Sequence, residues 1–140
     1  MDEQIKIWQR VKGDAAPVTD GLPGVASGAL SRAALYNALA RQLQGPGRSI
    51  FLSLQEEEQQ CVRYLQGIYR LSTGNKMQLS SLPPTAKKVE TALQKCYGQS
   101  LKALVFFDQR TNHPEYGPVF AHLAAKMRDN CCKIAGLLGL

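Results

Sequence analysis

The sequence predicts an all-α chain folded as a four-helix bundle preceded by a short helix, and three observations predict it. Apolar residues recur every three or four positions through four long stretches, the spacing that gathers side chains on one helical face. Helix breakers separate those stretches: Gly45-Pro46-Gly47, then Gly74-Asn75 with Pro83-Pro84 beyond it, then Asn112-His113-Pro114. The gap between the second and third stretches is the longest, which groups the helices into two hairpins joined by a longer link.

Taken in order, residues 2–11 place Ile5, Trp8 and Val11 on one side of a short amphipathic helix, and Lys12 to Ser27, rich in Gly, Pro and Asp, reads as a linker. The chain therefore divides into residues 1–27, a short N-terminal helix and linker, and residues 28–140, the bundle. From Gly28 the positions Ala29, Ala33, Tyr36, Ala40 and Leu43 form the inward stripe of a helix over 28–44. The next stripe is Ile50, Leu54, Cys61, Leu65, Ile68 and Ser72, a helix over 47–73 that Gly74-Asn75 closes with a left-handed cap. Pro83-Pro84 suits the entry of the third helix, because the first amides of a helix need no partner. That helix carries Val89, Leu93, Cys96, Ser100, Leu104 and Phe107, and the fourth carries Phe120, Leu123, Ala124, Met127, Cys131, Ile134 and Leu138. The two hairpins resemble each other at an offset of roughly seventy residues, a weak internal duplication. It sets Leu54 against Ala124, Cys61 against Cys131, Glu57 against Met127, Glu58 against Arg128 and Gln60 against Asn130.

The bulk properties narrow the function classes. A chain of 140 residues, 44% hydrophobic and 20% charged, has the composition of one globular domain. No apolar run approaches the span of a bilayer, so no membrane segment is expected. The opening Met1-Asp2-Glu3-Gln4 is acidic and polar with no signal-peptide core behind it, which predicts a cytoplasmic protein. The net charge is +6, but the bases are dispersed, with only Lys87-Lys88 adjacent, so nucleic-acid binding is not expected. Cys61, Cys96, Cys131 and Cys132 lie inside helical patterns and read as reduced thiols; the last two diverge by about 100° on a helix and do not make a metal site. His113 and His122 have no ligand partner three or four residues away and read as surface histidines. Neither a phosphate-binding Gly-rich loop, a Gly-x-Ser-x-Gly elbow nor a Cys-His pair is present.

Chemistry concentrates on the second helix. Its inward stripe passes through Glu56-Glu57-Glu58, so at least one carboxylate points at the core, where it needs an opposite charge or a metal. Around it, Leu54 to Cys61 followed by Leu65 to Gly74 resembles the second helix of the ferritin-like, rubrerythrin-type proteins, in which Glu-x-x-His precedes a Leu-x-x-x-Tyr stretch closing on Gly. Tyr36-Asn37-Ala38-Leu39-Ala40 is similar to the end of that family's first helix and Tyr116-Gly117 to Cys131 to the approach to its fourth, so the likeness covers residues 28–138.

The resemblance implies a ferritin-like bundle, and in that family a di-iron centre held by one Glu from each of two helices and a Glu-x-x-His from each of the other two. Carried across, Glu57 is kept and Gln60 stands where the His would be. Ala29 or its neutral neighbours stand for the first Glu, Ser100 or Gln99 for that of the third helix, and Met127 with Asn130 for the last pair. One carboxylate cannot balance two divalent cations in a low-dielectric core, so a standard di-iron centre is not expected. Glu57, Glu58 and Gln60 are the candidate residual metal site. Otherwise Glu57 or Glu58 pairs with a base, Arg128 being the partner the duplication suggests.

Two functions from different classes stay open: a non-catalytic interaction or assembly module without a cofactor, or a residual rubrerythrin-type oxidoreductase using iron or manganese. A small ligand in the emptied bundle centre is a third. Trp8 and the apolar end Ile134 to Leu140 exceed what one short bundle must bury, which predicts a homodimer. The sequence identifies no protein partner.

Overall fold

A computed structural model describes residues 17–84 and 88–139; the expected helix over 2–11, with Trp8, lies outside the described residues. Four α-helices and no strand make up the described residues: α1 Leu22–Gln42, α2 Pro46–Thr73, α3 Val89–Asp108 and α4 Gly117–Leu138. Helices α1 and α2 form one hairpin and α3 and α4 the other; α2 then packs on α4 and α1 on α3.

The sequence placed the start of α1 at Gly28, and the structure moves it to Leu22. Pro23 marks the first turn instead of breaking it, since its missing N–H would have had no partner there. Leu22 and Ala26, both fully buried, tie that added turn into the core. The end of α2 is as expected: Gly74 takes φ 75° and its N–H donates to the Arg70 carbonyl, a left-handed cap that costs only glycine nothing. Ser72, expected on the inward stripe, is exposed.

Two apolar clusters fix the helix directions. One joins Leu22 and Ala26 of α1 to Leu65 and Ile68 of α2, Phe107 of α3 and Phe120 of α4. The other joins Tyr36 and Leu39 to Phe51 and Leu54, Leu93 and Ile134. The first cluster takes the N-terminal half of α1 and α4 and the C-terminal half of α2 and α3, and the second takes the opposite halves. Helices α1 and α4 therefore run one way and α2 and α3 the other, and the crossover that links Thr73 to Val89 joins opposite ends of the bundle. Met77, 4% exposed, anchors this crossover in the first cluster, and α1 pins its continuation: Ser80 N donates to Ser27 Oγ at 3.1 Å and Leu82 N to Ser31 Oγ at 3.0 Å.

The turn into α4 has a cap of its own. His113 Nδ1 accepts hydrogen bonds from the amides of Glu115 and Tyr116 at 3.1 and 3.0 Å, and its ring stacks on Tyr116. This half-buried histidine, expected as a free surface residue, holds the corner between α3 and α4. The apolar C-terminal end is largely used within the chain, because Ile134 is buried in the second cluster and Leu137 and Leu138 pack on it. That removes one of the two reasons for expecting a dimer.

Candidate functional site

Between the two apolar clusters each helix contributes one polar side chain to the interior: Arg32 from α1, Glu58 from α2, Ser100 from α3 and Asn130 from α4, none more than 4% exposed. They are the buried polar or charged residues of the described chain, and they lie at one level, at the waist of the bundle.

Arg32 and Glu58 form a two-pronged ion pair. Arg32 Nε donates to Glu58 Oε1 at 2.8 Å and Nη2 to Oε2 at 3.0 Å, the fork geometry that matches a guanidinium to a carboxylate. Burial pushes the Glu58 carboxyl above its ordinary range, the Arg32 charge pulls it back without full offset, and Glu57 adds a small upward push. Burial alone would lower the Arg32 guanidinium, but the charge and hydrogen bonds of Glu58 outweigh that and hold it above its usual value. The direction we adopt for the pair is the ionised one near neutral pH, because both carboxylate oxygens have a cationic donor at charge-assisted distance.

Around the pair sit groups that burial keeps neutral. The Cys61 thiol is raised by burial and by Glu58, and the Cys96 thiol by burial. Tyr36, fully buried, is raised by burial, with Cys96 and Glu58 adding to it. All four cysteines are free thiols; Cys61, Cys96 and Cys131 are buried and Cys132 is exposed. Tyr36 OH, Ser100 Oγ and Asn130 Oδ1 make no hydrogen bond. A buried polar atom without a partner costs about 1–3 kcal/mol, so this level of the bundle is polar at the expense of stability.

The candidate metal residues separate. Glu58 is engaged by Arg32, Glu57 faces Lys126 across a 3.6 Å, partly exposed contact, and Glu56 is exposed. Gln60 is half-buried and lines, with Glu57, a crevice of about 10 Å³ between α2 and α4, room for one water at most. Arg128, suggested by the duplication as the partner of Glu58, instead reaches Asp108 at 3.4 Å on the surface. The suggested offset was one residue too long. Burial coincides when Phe51 is set against Phe120, Leu54 against Leu123, Glu58 against Met127, Cys61 against Asn130 and Leu65 against Ile134. The inward pair of α2 is thus Glu58 and Cys61, three residues apart, and that of α4 is Met127 and Asn130.

These side chains do not fit a di-iron centre: six inward positions offer one carboxylate, and a guanidinium occupies both of its oxygens. No group of three or more His, Cys, Asp and Glu that could hold a metal ion occurs among the described residues. No helix among them is long and apolar enough to cross a membrane. Arg32 is the residue of this candidate site that the sequence reading missed, taking helix 1 to offer neutral side chains at the ligand place; the signal was its position, three residues after Ala29 and four before Tyr36 on the expected stripe. Comparison with known proteins finds no matching family, no matching curated protein and no matching solved structure.

Proposed function

We propose that the chain is a ferritin-like bundle whose centre holds an internal ion pair in place of metal, and that it serves as a non-catalytic interaction or assembly module, as a homodimer or with another protein. The observation that carries this reading is the arrangement of six buried inward positions: Arg32 on α1, Glu58 and Cys61 on α2, Ser100 on α3, Met127 and Asn130 on α4. One position on each of two helices and a pair spaced by three on each of the others is the spacing of a di-iron carboxylate site. A single long crossover between two hairpins, here linking Thr73 to Val89, belongs to the same architecture. At these positions a monovalent cation covalently part of the chain, Arg32, faces one carboxylate, so charge balances with no ion added.

The test is elemental analysis of protein purified without chelators, followed by anaerobic titration with ferrous iron or manganese. The reading expects no stoichiometric iron, manganese or zinc and no saturable uptake. One tightly held metal per chain, lost in Glu58→Gln, would replace it with the residual oxidoreductase. Light scattering on size-exclusion fractions tests assembly, and a monomer at all concentrations with no partner contact would remove the dimer from the proposal.

A further inference from the structure

A half-open cavity of about 460 Å³ lies between α1, α3 and the crossover, with Arg32 of the ion pair in its lining. Sites that take a small molecule commonly enclose about 300–1,000 Å³. Leu35, Leu82, Pro83, Pro84, Ala92 and Cys96 supply apolar walls. The wall formed by the crossover is held in place, since the amide of Leu82 is tied to Ser31, itself part of the lining.

The charges on this cavity have one sign. Among the described residues Arg32, Lys88 and Lys95 line it and no Asp or Glu does. Neither lysine belongs to an ion pair among the described residues. Arg32 engages Glu58 through Nε and Nη2, so the excess positive charge belongs to the two lysines. A half-open cavity with apolar walls, two exposed lysines and the hydroxyls of Ser31 and Thr91 in its lining suits a molecule with one anionic end and one hydrocarbon end.

We propose that this cavity binds a free amphipathic carboxylic acid of medium chain length, its carboxylate at Lys88 and Lys95 and its chain along Leu35, Ala92 and the crossover prolines. The cavity shares Arg32 with the ion pair but would bind through Lys88 and Lys95, so the site and the scaffold reading can each fail alone.

The experiment is calorimetric titration of the full chain with decanoate, decanol and decyltrimethylammonium, each below its micelle concentration. Decanoate is expected to saturate at one per chain, with decanol at least ten-fold weaker and the cation not bound. Lys88→Glu with Lys95→Glu should weaken decanoate at least ten-fold while the helical circular dichroism stays unchanged; Ala92→Trp, which fills the chamber, should abolish binding of both decanoate and decanol. Equal affinity for decanol and decanoate, or the lysine variant binding decanoate as the parent does, would overturn the proposal. So would sedimentation with anionic phospholipid vesicles in the absence of any affinity for monomeric decanoate, which would assign the lysines to a lipid surface.

Discussion

Replacing Arg32 with methionine removes the cation at the bundle's waist and leaves Glu58, which has no exposure to solvent, without a partner. Two charge-assisted hydrogen bonds, at 2.8 and 3.0 Å, disappear together. Each such bond contributes about 1.5–3 kcal/mol, and breaking a buried pair by removing one partner costs about 3–5 kcal/mol, so Arg32→Met should lose roughly 4 kcal/mol at pH 7. The loss is limited because the stranded carboxyl can take up a proton. Its folded-state pKa then lies above the unfolded one, so its contribution is full at low pH and declines as pH rises through that interval, by about 1.4 kcal/mol per unit. The deficit of Arg32→Met should accordingly shrink from pH 7 to pH 5. Removing both charges, as Arg32→Met with Glu58→Leu, should return stability to within about 1–2 kcal/mol of the parent or exceed it. Urea unfolding followed by far-ultraviolet circular dichroism reads the parent, the single variants Arg32→Met and Glu58→Leu, and the double variant. Arg32→Met costing under about 1 kcal/mol, or a double variant as unstable as the sum of the singles, would show that the two side chains are not a buried, coupled pair.

Ser100→Ala should stabilise the chain by about 1 kcal/mol in the same assay, because it removes a buried hydroxyl that has no partner and leaves a methyl-sized side chain in its space. Gly117→Ala should cost about 1–3 kcal/mol, since a Cβ there would run into the carbonyl oxygen of Thr111, which is backbone and cannot move aside cheaply. His113→Ala should cost about 1 kcal/mol and His113→Asn less, because an Asn oxygen can accept the Glu115 and Tyr116 amides that His113 Nδ1 accepts. Alkali should unfold the chain steeply: Cys61, Cys96 and Tyr36 all have pKa values raised by burial, so their contribution is intact below the ordinary thiol and phenol ranges and is lost as pH climbs above about 9. Unfolding midpoints measured at neutral pH and above test this, and Cys61→Ala should flatten the slope.

Much of the architecture was legible because it rests on short-range signals. The stripes of α3 and α4 name Leu93, Cys96, Ser100, Phe107, Phe120, Met127 and Ile134, all of which are buried. The Gly74 cap ends α2 where a left-handed residue was expected. Legibility failed where a residue's meaning depends on its depth along the helix. Pro23 breaks a chain in mid-helix but starts one in its first turn, and only the packing of Leu22 distinguishes the two. Three consecutive glutamates leave the inward one undecided, because neighbouring positions differ by about 100° around the axis and the stripe drifts. Carrying the metal-site spacing onto Glu57 put Gln60 inward, and the seventy-residue offset set Arg128 against Glu58; with Glu58 inward, the side chain three residues on is Cys61, and Arg128 lies on the surface. Arg32 is a charged residue among alanines, and no short-range signal marks it as buried. Only a partner 26 positions away makes it a core residue.

That partnership bears on why a polar waist persists at all. Replaced by apolar side chains of similar volume, buried ion pairs commonly leave a protein as stable or more so, and Ser100, Asn130 and Tyr36 each carry an unpartnered polar atom beside this one. Stability alone therefore does not account for keeping four polar residues at one level. A directional pair between α1 and α2 does supply something apolar packing lacks: Arg32 meets Glu58 in only one axial register, so sliding the hairpin by a turn would bury both charges unpaired. On that account the double variant Arg32→Met with Glu58→Leu should be at least as stable as the parent yet less uniquely folded. Its amide spectrum should broaden or double, and its unfolding should lose cooperativity. If the double variant instead gives one sharp set of resonances, register is fixed elsewhere, by the capped corner at His113 and the pinned crossover, and the ion pair contributes no specificity to this fold.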